Sequence, residues 1–167
     1  VAIRDRIRHD DGGQFVYDLR RMGISEDNHG VEVYRWIEGR TLDASVTDNV
    51  RSAHIIELGW QLSRGVAMLH RNNVLHRDIC PRNIIIGPGA VPILVDFGMA
   101  RPVLADMNTP IASTWAAPEV QQGHPDWTEK ADIFGLGATL DWLMRRAAEE
   151  DTPEWRKLVE LVGRAKG

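Results

Sequence analysis

Only one cysteine, Cys80, occurs in the 167 residues. A lone thiol cannot close a disulfide within the chain, so a cross-linked secreted scaffold is excluded and a reducing compartment fits best. The expected location is cytoplasmic. No apolar run approaches the roughly 18 residues of a bilayer span, and no signal peptide is visible, so no membrane segment is expected in this chain. Basic residues are not in excess: net charge is -4 and the pI is near 5.9. That argues against nucleic acid as a partner, whose binders carry a basic footprint. No internal repeat or low-complexity stretch stands out. Lysine is absent before Lys130, and no G-x-G-x-x-G occurs anywhere. The chain starts at Val1 rather than methionine and reads as a processed or excised piece.

What is present is ordinary for a globular protein: 43% hydrophobic and 26% charged residues. A chain of this length buries about two-thirds of its unfolded surface, enough for one core and one domain. Residues 1–40 read as β. "QFVYDL" (14–19) and "VEVYRWI" (31–37) are rich in β-branched and aromatic residues, with turn chemistry at 25–30 between them. Glu38, Gly39 and Arg40 read as a connector.

Helix follows. From Asn49 to Asn72, Ile55, Leu58, Leu62, Val66 and Leu69 recur at three- and four-residue steps, which predicts an amphipathic helix with Thr47 or Asp48 as its cap. "NIII" (83–86) and "VPILV" (91–95) predict a hairpin turning at "GPGA" (87–90). A mixed loop runs from Gly98 to about Trp115. A second helix is expected over Lys130–Arg146. Thr152 and Pro153 then open a last helix to about Arg164.

Three residues carry the chemistry. Asp78 and Asn83 lie on the loop between the long helix and the hairpin, and Asp96 follows the hairpin. A loop carboxylate can accept a hydroxyl proton. A carboxylate and a carboxamide on neighbouring elements can hold Mg²⁺, a hard ion that takes oxygen ligands. Either aspartate alone reads equally as a turn residue; the set and its spacing point to phosphoryl transfer.

His76-Arg77-Asp78 with Asn83 matches H-R-D-x-x-x-x-N, Asp96-Phe97-Gly98 matches D-F-G, and Ala117-Pro118-Glu119 matches A-P-E, in that order. "DIFGLG" (132–137) is similar to D-x-W-S-x-G, and "VYRWIEGRTL" (33–42) to a last small-lobe strand, hinge and helix cap. Over about residues 14 to 165 the chain therefore resembles the protein kinase superfamily, most closely bacterial serine/threonine kinases.

The resemblance implies an α+β fold, a mostly helical C-lobe over 38–167 with a reduced β N-lobe and hinge strand in 1–37. It implies ATP and Mg²⁺ as cofactors and a protein substrate. Asp78 would be the catalytic base, with Asn83 and Asp96 holding the metal. Ile37 would face the adenine edge at the hinge, Ile85 would pack beneath the ring, and Tyr34 would control the pocket behind it. His76 and Phe97 would pack, and Asp132 would brace the catalytic loop or simply cap its helix. Arg77 would pair with a phosphorylated residue of the activation segment, 96–119, where Thr109, Ser113 and Thr114 are candidates.

The pattern also breaks. Cys80 stands where serine/threonine kinases usually have lysine, with Arg82 a nearby cation. Trp115 replaces the usual tyrosine before A-P-E. "VAIR" (1–4) places Arg4 where the phosphate-gripping lysine would be, too near the hinge to serve, and the first glutamate is Glu26 in a turn. No room is left between Arg146 and Thr152 for the helix that usually follows. Residues 1–167 alone are expected to fold their helical body yet fail as a kinase. Three readings stand: a protein kinase lacking part of its small lobe, a pseudokinase that binds or scaffolds, and a small-molecule phosphotransferase.

Overall fold

The computed structural model describes residues 19–24, 30–34, 36–102, 113–123, 127–148 and 151–167. Arg4, Glu26, Thr109, the turn at 25–29 and all of the strand expected at 14–19 except Leu19 lie outside them. The α+β expectation holds: a helical body carries little sheet.

The first hairpin pairs β1 (Leu19–Ile24) with β2 (Gly30–Tyr34), antiparallel, with a bulge between Leu19 and Arg21. This corrects the sequence reading in two places. "LRRMGI" forms a strand despite weak β formers, because the ladder with β2 supplies what propensity does not. The second strand ends at Tyr34, so Trp36, Ile37 and Glu38 run on without a ladder.

Arg40 is not connector. Arg40–Thr41 forms β3, which pairs with β5 (Ile84–Ile86), and β5 pairs in turn with β6 (Pro92–Leu94). The predicted hairpin is therefore present, one residue shorter at each outer end, as part of a three-stranded sheet. Gly39 sits at φ +151, and a side chain there would run into Ile85 and the Ile86 backbone. Only glycine allows this approach, and it sets the backbone at position 39 beside Ile85. A four-residue helix, α1 (Leu42–Ser45), follows, with Leu42 buried.

The long helix is α2, Ser52–Arg71, with Ile55, Leu62, Val66 and Leu69 buried. It begins three residues later than expected, and neither Thr47 nor Asp48 caps it. Asn49 has φ +64, and Val50 is drawn into a bridge with Ala147. Val50 donates to the Arg146 carbonyl at 2.9 Å and accepts from the Ala148 amide at 2.8 Å. Arg51 takes the cap position with no side-chain bond. Distant backbone thus overrides the local capping signal. Beyond α2, β4 (Val74–Leu75) pairs with β7 (Arg101–Pro102), a contact no local pattern announced.

After α3 (Pro118–Gln121), α4 (Glu129–Met144) forms the centre of the body. Thr128 caps it by accepting from the Lys130 amide. Residues all round α4 are buried, among them Asp132, Leu136, Thr139, Leu140 and Leu143. α2 packs on it where Gly59 meets Leu140. The last helix, α5 (Pro153–Lys166), is capped by Thr152 as predicted. It approaches so closely that a Cβ on Gly137 would stand 2.8 Å from Ala165 Cβ. No described helix is long and apolar enough to cross a membrane.

Candidate active site

The loop between β4 and β5 is built around buried polar groups. Asp132, 1% exposed on α4, reaches it from below. Its Oδ2 accepts the His76 amide at 2.8 Å, and its Oδ1 accepts the Arg77 amide at 2.7 Å. His70 Nε2, from the last turn of α2, lies 2.9 Å from Oδ2. Of the two roles open to Asp132, the structure shows the brace; the cap of α4 is Thr128. These bonds hold Arg77 at φ +73, a conformation that costs a bulky residue about 1–3 kcal/mol unless its surroundings enforce it.

His76 is fully buried and lies against Phe97, ring centroids 4.8 Å apart. Its Nε2 is 3.1 Å from the Val95 carbonyl, and its Nδ1 is 3.4 Å from the Asp78 amide. A carbonyl needs a donor and an amide needs an acceptor, so the ring is neutral with its proton on Nε2. Burial pushes its pKa below the usual histidine value, although the carboxylates of Asp132, Asp78 and Asp96 pull the other way. The folded state therefore resists a proton that the unfolded chain accepts. Stability contributed by neutral His76 is present above about pH 6.5 and is lost as pH falls through that value. Thermal melts from pH 7.5 down to 5.0 are expected to show a falling midpoint, with a shallower fall in His76→Asn. Parallel slopes in the two proteins would remove His76 as a cause.

Asn83 gives both N–H groups of its amide to Asp78, 2.9 Å to the carbonyl and 2.8 Å to Oδ2. That leaves its own carbonyl oxygen as the end available to a cation. The hairpin places Asp96 one residue beyond this point: Ile84 pairs with Leu94, and the Val95 amide donates to the main-chain carbonyl of Asn83 at 2.9 Å, leaving the side-chain oxygen uninvolved. Asp96 is exposed, at φ +61, with Oδ1 accepting the Gly98 amide at 3.2 Å. Asp78 and Asn83 thus precede the first strand of the hairpin and Asp96 follows the second, at the same end of it. Ile37 and Ile85 are half-buried on the hinge side.

The donor set fits a magnesium ion shared with a nucleotide. One carboxylate and one carboxamide oxygen cannot fill an octahedral shell, and phosphate oxygens and water normally complete it. No cluster of three acidic, histidine or cysteine side chains occurs among the described residues, so an all-protein metal cage is not offered there.

Cys80 is 1% exposed, and burial, then Asp78, pushes its thiol pKa up. It is an uncharged core residue. Arg82 is exposed.

Arg77 was expected to pair with a phosphorylated residue of the activation segment; in the structure its Nη1 donates to the Met99 carbonyl at 3.1 Å. Its guanidinium also stacks on Trp127 at 3.7 Å, a partner the sequence reading missed. Burial first, and Arg101 second, lower its pKa to about 10. An isolated tryptophan directly before the cap of α4 was the available signal. His70 was missed as well, and its spacing to Asp132 gave no local clue.

The model of the protein kinase domain matches residues 22–152. Mitogen-activated protein kinase p38b of Drosophila melanogaster is 30% identical over 109 residues, covering 62% of this chain and 30% of the relative. Cold-responsive protein kinase 1 of Arabidopsis thaliana is 29% identical over 154 residues, covering 81% of this chain and 39% of the relative. Protein-tyrosine kinase 6 of Homo sapiens is 30% identical over 99 residues, covering 56% of this chain and 22% of the relative. The chain thus spans well under half of these relatives. A chain in the structure of the CAK complex from Chaetomium thermophilum bound to ATP-gamma-S superposes with a TM-score of 0.71 at 23% identity, over 97% of this chain and 51% of that one. That likeness shows the fold. By the domain model and the order of its motifs, the chain belongs to the protein kinase family.

Proposed function

We propose that the protein transfers the γ-phosphoryl group of ATP to serine or threonine hydroxyls of protein substrates, with residues 1–37 serving as part of the N-lobe and hinge and 38–167 as the C-lobe. One observation carries the reading: Asn83 is hydrogen-bonded to Asp78, and its main-chain carbonyl accepts the amide of Val95, the residue directly before Asp96. Asp78 accepts the substrate hydroxyl's proton and aims that oxygen. Asn83 and Asp96 hold Mg²⁺, which when bound neutralises phosphate charge and orients the leaving group. Ile37 and Ile85 border the adenine. Serine or threonine, rather than tyrosine, rests on the overall resemblance to bacterial serine/threonine kinases; the catalytic loop departs from them at Cys80, and both kinds of kinase occur among the relatives.

A second reading, a pseudokinase that binds without turnover, is favoured by one feature. The position after Ile79 is a buried thiol, and no lysine precedes Lys130, so positive charge over the phosphates is scarce. Intact Asp78, Asn83 and Asp96 weigh against it, as does the A-P-E segment against a small-molecule phosphotransferase.

Calorimetry with ATP and Mg²⁺ on the natural protein tests the site. Asp96→Ala is expected to abolish the magnesium-dependent part of nucleotide affinity. An unchanged affinity in the variant would take Asp96 out of the site.

A further inference from the structure

A groove of about 330 Å³ lies on the C-lobe among α4, α5 and the segment ahead of Ala117-Pro118-Glu119. None of its lining residues belongs to the Asp78, Asn83 and Asp96 cluster. Its floor is aromatic: Trp115 and Trp142 meet edge to face, centroids 6.4 Å apart, beside Phe134. Its rim is charged. Asp141 Oδ2 is shared by Lys166 Nζ at 2.9 Å and Arg145 Nη2 at 3.0 Å. One carboxylate cannot neutralise two cations; outside the lining, the Arg146 guanidinium stacks 4.1 Å over the Trp142 ring. The Arg145 side chain is 70% exposed. The groove is therefore apolar at the bottom and net positive at the edge.

Its shape favours an extended chain over a compact ligand. Phe134, Ala138, Asp141, Trp142 and Arg145 follow one face of α4 over eleven residues, about 16 Å at the helical rise. That distance matches about five residues of extended polypeptide. The volume suits one large apolar side chain, at the lower end of ligand-sized cavities.

We infer that this groove is a docking site for an acidic polypeptide segment carrying one large apolar side chain. The apolar group sits against Trp115 and Trp142, and flanking carboxylates face Arg145 and Lys166. Docking requires no nucleotide.

The test is fluorescence anisotropy of two labelled peptides on the 167-residue chain. One places a phenylalanine among glutamates, the other among lysines. The acidic peptide is expected to bind at least about tenfold more tightly, and to weaken as salt rises. Arg145→Glu with Lys166→Glu is expected to erase that preference. Arg145→Gln with Lys166→Gln, which adds no repulsion at Asp141, is expected to reduce it about tenfold, two exposed charge contacts being worth roughly 0.2–1 kcal/mol each. Asp96→Ala should bind both peptides as the parent does. Equal binding of the two peptides, no binding of either, or a preference untouched by both double variants would overturn the proposal. So would a concentration-dependent dimer, seen by sedimentation, that these variants dissolve, because it would assign the groove to a second copy of the chain.

Discussion

Asp78→Asn is expected to lower the rate of phosphoryl transfer by about 10² to 10⁴ in the natural protein while nucleotide affinity stays within a few-fold. The two effects separate because Asp78 does two things. Its Oδ2 accepts from Asn83, a structural bond that an asparagine oxygen at position 78 can still accept. In the proposed mechanism its negative charge would draw the proton from the attacking hydroxyl, which a carboxamide could not do. The loop should keep its shape, since the Asp132 bonds to His76 and Arg77 are untouched. Initial rates on a generic protein substrate, beside nucleotide titrations, measure both quantities. Near-normal turnover in the variant would end the assignment of Asp78 as base, and a large loss of nucleotide affinity would mean that the substitution disturbed Asn83.

The second large effect is on stability. Asp132→Ala removes the partner of two buried amides and of His70 in one step. A buried donor left unsatisfied costs about 1–3 kcal/mol, so the pair costs roughly 2–6 kcal/mol. That is a large share of the 5–15 kcal/mol that holds a typical domain together. For a chain of this size the thermal midpoint should fall by about 5–20 °C. Asp132→Asn, which keeps one acceptor oxygen, should lie between. A midpoint within 2 °C of the parent in Asp132→Ala would show that water satisfies those amides, and the brace would lose its energetic meaning.

Much of this was legible in the residues because the signals were local. The 3- and 4-residue spacing from Ile55 to Leu69 marked α2, and Thr152-Pro153 marked the start of α5. The turn at Gly87 joined two apolar runs that do pair. The interval from Asp78 to Asn83 placed both on one loop, and the structure bonds them. What stayed hidden was decided by residues far apart in the chain. Arg40–Thr41 is a strand only because Ile85 and Ile86 offer it a ladder. α2 begins at Ser52 because Arg146 and Ala148 capture Val50. Trp127 sits beneath Arg77, across a separation of 50 positions that no periodicity could report. Asp132 was the exception, since a motif rather than a pattern pointed to it.

The bonds from Asp132 to the loop span 56 and 55 positions of sequence. Long-range contacts form after local ones in folding, because closing the intervening chain costs entropy that only docked structure returns. The left-handed turn at Arg77 has only a long local bond, from the Asp78 amide to His76 Nδ1, so it lacks its main support while α4 is still free. A ribosome that has just delivered Asp78 and Asn83 has delivered the reactive side chains without their geometry. The loop that carries them takes its final shape only when the central helix emerges and docks.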